Sequence, residues 1–335
     1  MIRVLLYGLG PIGAMVARQL ATRDGFRIVG AVDVDPAKVG RDVGPLAGLE
    51  RPLRVKVSPD PRRALKTSKP DIVVLCTSSS VKGVMPQIEE VLNAKVPLVT
   101  TTEELSYPVR RNALLAKKID RMAKKAGVAV LSTGVNPGFV MDTLPIALSA
   151  ACERIDSVTV NRVQDAGTRR LPFQQKIGAG LTLEQFDREV KRGSIRHVWL
   201  PESITMIADA LGWQLDRVTD EVKVKIADAT VSSEFLAVDP GYASGIIQDG
   251  VGYRHGTPVI KLHIEAYLGA TESYDSVTIE GIPRLVLTIP GGIPGDVATA
   301  SIVVNSIPKV IAAPPGLQTM KHLPLPSYFG GRAKP

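Results

Sequence analysis

Short apolar runs set the rhythm of the first 135 residues. Ile2–Tyr7 is hydrophobic except at Arg3 and stops at Gly8; from residue 12 to 21 the apolar positions then recur at helical spacing. Phe26–Val32 forms the next strand-length run, and residues 72–76 follow Pro70-Asp71 as another. Helical spacing over 85–92 and 114–126 alternates with apolar runs at 96–99 and 128–131. Continuous Val, Ile and Leu strands alternating with helices predict a doubly wound α/β layer: a parallel sheet covered on both faces.

The texture changes after Asn136-Pro137-Gly138. Helical spacing covers 141–151, period-two alternation covers 156–162, and a polar stretch with Gly and Arg over 165–180 reads as a loop. Helices are predicted at 183–191 and 203–211. Alternating segments follow at 221–227, 245–248, 259–267, 276–280 and 284–288, strand beside strand with short turns between. That pattern predicts a second, α+β domain with a mixed or antiparallel sheet. Gly295-Asp296 opens a last helix through Ile307, and the Pro- and Gly-rich tail from Ala313 is expected to wrap the surface. The predicted division is 1–138, 139–294, and a C-terminal helix and tail, 295–335, that pack back on the first domain.

Composition narrows the classes. No apolar run approaches the roughly 18 residues of a bilayer span, and the N-terminal run passes straight into a glycine turn, as a first strand does and a signal peptide does not. Cys76 and Cys152 alone make neither a disulfide framework nor a metal site, which places the chain in a reducing cytoplasm. The net charge of +8, from 41 Lys and Arg against 33 Asp and Glu, raises the question of nucleic acid. Only 4% of residues are aromatic and no run of five like charges occurs, so no nucleic-acid partner is expected. What survives is a cationic surface suited to anionic cofactors.

The chemistry begins at Gly8-Leu9-Gly10-Pro11-Ile12-Gly13, between the first strand and the first helix. Gly8 permits the tight turn, Gly10 lets backbone approach a pyrophosphate, and Gly13 allows close helix–strand packing, while the helix N-terminus offers its N–H groups to phosphate. Gly8, Gly10, Pro11, Ile12 and Gly13 are therefore candidate dinucleotide-binding positions on a Rossmann sheet. Asp33 ends the second strand twenty residues past Gly13, where a carboxylate holds the adenosine ribose. Asp33 favours NAD, yet Lys38 and Arg41 follow and could partner the 2′-phosphate of NADP, so both cofactors stay open. Ligands of such sheets sit beyond the carboxyl ends of the strands. That places Thr77, Ser78, Thr101 and Asn136 around the nicotinamide. In Thr101-Thr102-Glu103-Glu104 the Thr-x-x-Glu spacing is that of a capping box, which assigns Glu104 to the Thr101 N–H and leaves Glu103 for the cleft as base or charge stabiliser. His263 sits in an alternating strand, and His197 and His255 lie in polar contexts. No His/Cys/Asp grouping has metal spacing, and neither a phosphate loop nor a nucleophile elbow occurs.

The N-terminal half resembles the dihydrodipicolinate reductase-like superfamily. Thr102-Glu103-Glu104-Leu105-Ser106-Tyr107-Pro108, the stretch Gly134-Val135-Asn136-Pro137-Gly138-Phe139-Val140-Met141-Asp142, and Asp165-Ala166-Gly167-Thr168-Arg169-Arg170 with Gln175-Lys176-Ile177-Gly178 look like the 2,4-diaminopentanoate dehydrogenases and related native amine dehydrogenases. This likeness spans nearly the whole chain. It implies NAD- or NADP-dependent reductive amination of a ketone or aldehyde with ammonia, and the reverse oxidative deamination of an amine or diamino acid. It also implies a homodimer built through a substrate-binding second domain. Glu103 falls on the catalytic glutamate, and Asn136, Phe139 and His263 fall on pocket positions. The His-His pair and Ser-Gly-Thr of true dihydrodipicolinate reductases are absent, and Glu-Glu-Leu replaces the Glu-Lys-Pro of glucose–fructose-type sugar dehydrogenases. The remaining alternatives are a reductase of the same superfamily acting on an imine or hydroxy acid, and a non-catalytic NAD(P)-sensing protein.

Overall fold

The computed structural model describes residues 1–195 and 200–330; His197 lies outside them. The chain forms two compact units, Met1–Phe139 with Pro294–Pro335, and Val140–Ile293. The first begins β1 (Ile2–Tyr7), α1 (Pro11–Thr22), β2 (Phe26–Val32), α2 (Val43–Leu46), β3 (Val57–Ser58), α3 (Pro61–Ser68), β4 (Ile72–Leu75) and α4 (Val81–Asn93). It continues with β5 (Leu98–Thr100), a 3-10 turn at Glu103–Leu105, α5 (Ala113–Ala126) and β6 (Ala129–Ser132). The second unit holds α6 (Thr143–Ser149), β7 (Arg154–Asp165), α7 (Leu171–Lys176), α8 (Leu183–Arg192), α9 (Leu200–Ala210) and β8 (Arg217–Ile226). After the small pair β9 (Val231–Ser232) and β10 (Ala237–Val238) come β11 (Ala243–Arg254), β12 (Thr257–Tyr267), β13 (Tyr274–Ile282) and β14 (Leu285–Pro290). The chain then returns to the first unit with α10 (Gly295–Ile311) and β15 (Gly316–Gln318).

The first unit is a seven-stranded parallel sheet of order β15-β6-β5-β4-β1-β2-β3, the doubly wound Rossmann arrangement. Its central strands are buried on both sides. Leu5, Val73, Leu98 and Val130 meet Ile88 and Ile119 of α4 and α5, while α1 and α10 cover the other face. The short α2 and β3 have no counterpart in the sequence expectation, and two further features depart from it. The tail from Ala313 does more than wrap the surface, because Gly316–Gln318 adds a parallel edge strand to β6. A helix also forms at Pro61–Ser68, opened by Asp60, whose carboxylate accepts the Arg63 N–H, with Pro61 in the first turn.

The second unit is a mixed six-stranded sheet of order β14-β13-β7-β12-β11-β8, in which only β7 and β12 pair in parallel. Helix α9 packs on one face, where Gly250 and Gly252 leave room for Leu200 and Ile204. The opposite face carries Lys261, His263, Glu265 and Tyr267 of β12, exposed or half-buried. Residues 165–180, read as a loop, contain a 3-10 turn and α7. The cause is Gln174: its fully buried amide donates to the carbonyls of Ala166 and Arg169, at 3.0 and 2.8 Å, and accepts from the Ser233 hydroxyl. Among the described residues no helix is long and apolar enough to cross a membrane.

One buried ion pair fixes β7 to β13. Arg162 and Asp275 are register partners, each 1% exposed, and Nη1 of Arg162 stands 2.8 Å from both oxygens of Asp275. Nη2 donates to the Ile293 carbonyl, and the Ile293 N–H donates back to Asp275, so the pair also anchors the end of the unit. Burial raises the Asp275 pKa despite the guanidinium beside it. Arg162→Met leaves that carboxylate buried without its cation and is expected to cost about 3–5 kcal/mol, with Arg162→Met/Asp275→Leu recovering much of the loss. Chemical denaturation of the two variants measures both.

Candidate active site

The turn after β1 is built as the glycine spacing requires. Gly8 has φ +94°, and a Cβ there would stand 2.7 Å from the Cys76 carbonyl oxygen. A Cβ at Gly13 would overlap the Gly8 carbonyl. At Gly10 a Cβ would meet nothing within 4 Å: the backbone faces open space, and Gly10 is also the N-cap of α1, without a side-chain capping bond. These are the conditions a pyrophosphate needs: room at Gly10 and N–H groups at a helix start.

That space belongs to a cavity of about 390 Å³ at the carboxyl edge of β1, β2 and β4. Of the positions predicted from sequence, Gly8, Gly10, Asp33, Lys38, Thr77 and Ser78 line it. Pro11, Ile12, Gly13, Arg41, Thr101, Glu103, Asn136 and Phe139 belong to the same unit but do not line this cavity, and His263 belongs to the second unit. Asp33 accepts the Leu9 N–H at 2.8 Å and the Asp35 N–H at 3.0 Å. Burial pushes its pKa up, but these two N–H groups and the Lys38 charge outweigh it and hold the carboxyl below its ordinary range. Lys38, a candidate partner for a 2′-phosphate, lies 3.4 Å from Asp33 and 3.1 Å from Asp35. Arg41 is exposed and donates to the Ala37 carbonyl at 3.4 Å. Sequence reasoning missed Tyr7, Val34 and Gln87, which also line the cavity. The Tyr7 hydroxyl donates to Glu90, and the Thr77 hydroxyl to Gln87. Burial pushes the Cys76 thiol up to about 12, so it stays protonated.

A ladder of buried hydroxyls joins the strand ends nearby. Thr100 and Thr102 share a hydrogen bond at 2.8 Å, Thr102 donates to the Ser78 carbonyl, and Ser132 donates to the Thr102 carbonyl at 2.6 Å. The ladder presents the turn Glu103–Leu105, with Thr102 as its N-cap and Glu103 half-buried at its first position. The expected capping box does not form. The Thr101 N–H donates instead to the Leu75 carbonyl in the sheet register, and Glu104 accepts the Val81 N–H at 2.8 Å. Ser80, the N-cap of α4, makes no side-chain capping bond, so Glu104 serves that helix start from 23 residues away. Glu104 thus braces the start of α4 and does not close a capping box at Thr101. Beyond β6, Asn136 is buried and Phe139 half-buried, and the Val135 N–H donates to the Thr299 hydroxyl of α10. Among the described residues no group of His, Cys, Asp and Glu could hold a metal.

Comparison with known proteins places this geometry. Residues 139–334 match the family model described as the 2,4-diaminopentanoate dehydrogenase C-terminal domain, and residues 2–131 match that of the dihydrodipicolinate reductase N-terminus. The chain is 33% identical over 337 residues to 2,4-diaminopentanoate dehydrogenase of Acetoanaerobium sticklandii, covering 98% of this chain and 95% of that one. The chain belongs to the 2,4-diaminopentanoate dehydrogenase family. An amine dehydrogenase of Streptomyces virginiae is 25% identical with 98% of both chains covered. The solved amine dehydrogenase from Mycobacterium smegmatis superposes with a TM-score of 0.88 at 29% identity, over 98% of each chain. A dihydrodipicolinate reductase from Paenisporosarcina, at 14% identity and TM-score 0.54, shares the fold. Membership in the family makes the chain a dinucleotide-dependent oxidoreductase, with the cavity at Gly10 on its Rossmann sheet.

His263 lies on β12 of the second unit. Its ring nitrogens lie 2.7 Å from Asp249 and 3.1 Å from Glu265, with Lys225 3.9 Å from Glu265. Burial lowers its pKa, and the two carboxylates more than offset this, so the imidazolium is favoured.

Two outcomes are expected. Gly10→Val should fold, because its side chain enters open space, yet lose dinucleotide binding in a fluorescence titration; Gly13→Ala should melt well below the wild type, because its methyl group meets backbone. The raised His263 pKa adds stability that is fully present below the unfolded value of about 6.5 and disappears as pH rises through the folded one. His263→Gln should therefore lower the melting temperature most at acidic pH, and a loss that grows with rising pH would contradict the assignment.

Proposed function

We propose that this protein is an NAD(P)-dependent amine dehydrogenase. It joins ammonia to a ketone or aldehyde by reductive amination and catalyses the reverse oxidative deamination of amines or diamino acids. The observation that carries this reading is a carboxylate, Glu103, mounted on a hydroxyl-braced turn at the carboxyl edge of a dinucleotide sheet, in a chain whose named relatives are a diaminopentanoate dehydrogenase and amine dehydrogenases. A bound nicotinamide supplies or accepts the hydride at the substrate carbon.

Glu103 takes a proton from ammonium, returns it to the carbinolamine hydroxyl as water leaves, and, a carboxylate again, stabilises the iminium that receives the hydride. Because the Thr100, Thr102 and Ser132 hydroxyls and the Glu104 staple fix the turn beforehand, little reorganisation is needed as charge develops. Phe139 supplies an apolar wall that limits substrate size, and the family resemblance assigns Asn136 and His263 substrate contacts of their own. The half-exposed β11–β12 face, with Val251, Tyr253 and Tyr267, is the surface through which two copies form a homodimer, and the reducing cytoplasm is its compartment.

The test is an assay of ketones and amines with each cofactor, with and without ammonia. Equal cofactor consumption by a ketone without ammonia would point instead to a carbonyl or hydroxy-acid reductase. Glu103→Gln should lower kcat for oxidative deamination at least about a hundredfold, while dinucleotide affinity barely changes. Glu104→Gln should keep most activity and lose about 0.5–1 kcal/mol of stability, since the amide still accepts from Val81 but loses the charge at the start of α4. A dead Glu104→Gln beside an active Glu103→Gln would move the catalytic role by one residue.

A further inference from the structure

The loop after β2 carries two carboxylates and two cations within nine residues, Asp33, Asp35, Lys38 and Arg41. Asp33 holds backbone: its oxygens accept the N–H groups of Leu9 and Asp35, joining the turn after β1 to the loop after β2. Asp35 is the more exposed of the two. One of its oxygens accepts the Ala37 N–H at 2.9 Å, and the other lies 3.1 Å from the Lys38 ammonium. The Lys38 N–H returns to the Asp35 carbonyl at 2.9 Å, which closes a turn and keeps the two side chains together. Lys38 lines the cavity, and it does so held between two carboxylates.

We propose that Asp35 is a specificity-determining residue that keeps Lys38 on the carboxylate pair and so makes the site selective for NAD over NADP. This rests on the reading of the cavity at Gly10 as the dinucleotide site. A 2′-phosphate brings nearly two negative charges and needs a cation able to turn toward it. Here a single ammonium stands against two carboxylates, so the cluster is net negative and repels that phosphate, whereas a ribose with both hydroxyls finds Asp33 as an acceptor. Arg41, further along the loop, is exposed to water, where its attraction is screened. Burial works to lower the Lys38 pKa, and the bonds and charges of Asp35 and Asp33 together outweigh it, the bond from Asp35 being the largest of them. Asp33 uses both oxygens on backbone N–H groups, so even asparagine there would release one of them. Asp35 can be exchanged, because an asparagine there still accepts the Ala37 N–H and preserves the turn.

Calorimetric dissociation constants of NADH and NADPH for the resting wild type, Asp35→Asn, Asp35→Ser and Asp35→Asn/Lys38→Ala decide the matter, with thermal melts confirming the fold. The wild type should bind NADH at least about tenfold more tightly than NADPH; Asp35→Asn should tighten NADPH about tenfold with NADH changing less than about threefold; and adding Lys38→Ala should abolish the gain. Asp35→Ser should follow Asp35→Asn. Unchanged NADPH affinity in both Asp35 variants, a wild type that prefers NADPH, or a gain that survives Lys38→Ala would overturn the proposal. A wild type that binds neither dinucleotide would fail differently, by removing the site on which the proposal stands.

Discussion

A Cβ at position 13 would overlap the carbonyl oxygen of Gly8, so α1 can approach β1 as closely as it does only because that residue is glycine. Everything at the nucleotide edge follows from this approach. It sets the start of α1 beneath the turn, leaves open space at Gly10, and directs the Leu9 N–H toward Asp33. Asp33 then takes the Asp35 N–H with its second oxygen, so one carboxylate transmits the geometry of the first turn to the loop beyond β2. Lys38 and Asp35 occupy positions that this relay defines.

At β4, β5 and β6 a different device does comparable work. Strand ends leave N–H and C=O groups that have no ladder partner, and buried ones are costly unless paired. Thr100, Thr102 and Ser132 satisfy them with hydroxyls small enough to remain inside the sheet layer, and Glu104 reaches across to the start of α4. The result is a set of loops braced by polar contacts, and the turn that carries Glu103 is one of them.

Much of this was legible in the sequence where local chemistry alone determines structure. β1 and β2 begin and end where their apolar runs do, and each glycine of the Gly8–Gly13 turn has the steric reason the spacing implied. Legibility failed where a distant partner decides. The Thr101–Glu104 spacing fits a capping box, but the sheet claims the Thr101 N–H, and Val81, 23 residues upstream, claims Glu104. Residues 165–180 read as a loop because their polar side chains suggest solvent, whereas buried Gln174 turns that polarity inward to hold a helix together. α3 escaped notice because its few apolar positions gave weak periodicity, although Asp60-Pro61 marks its start. β15 has only three residues, and the edge of β6 is what makes it a strand. Asp35 stands three residues before Lys38 in the sequence, but only the turn that brings its oxygen to 3.1 Å from the ammonium shows that the two pair.

The return of α10 and β15 to the first unit has a consequence for the order in which the protein comes off the ribosome. β1 to β6 are synthesised first, yet the helix that covers one face of their sheet and the strand that covers its β6 edge lie beyond residue 293. At about 5–20 residues per second, the 154 residues Val140–Ile293 take roughly eight to thirty seconds to translate. Throughout that interval the nascent nucleotide unit carries an open apolar face beside α1 and an unpaired parallel edge, while Val140–Ile293 can complete its own sheet. The unit that begins first is thus the unit that finishes last.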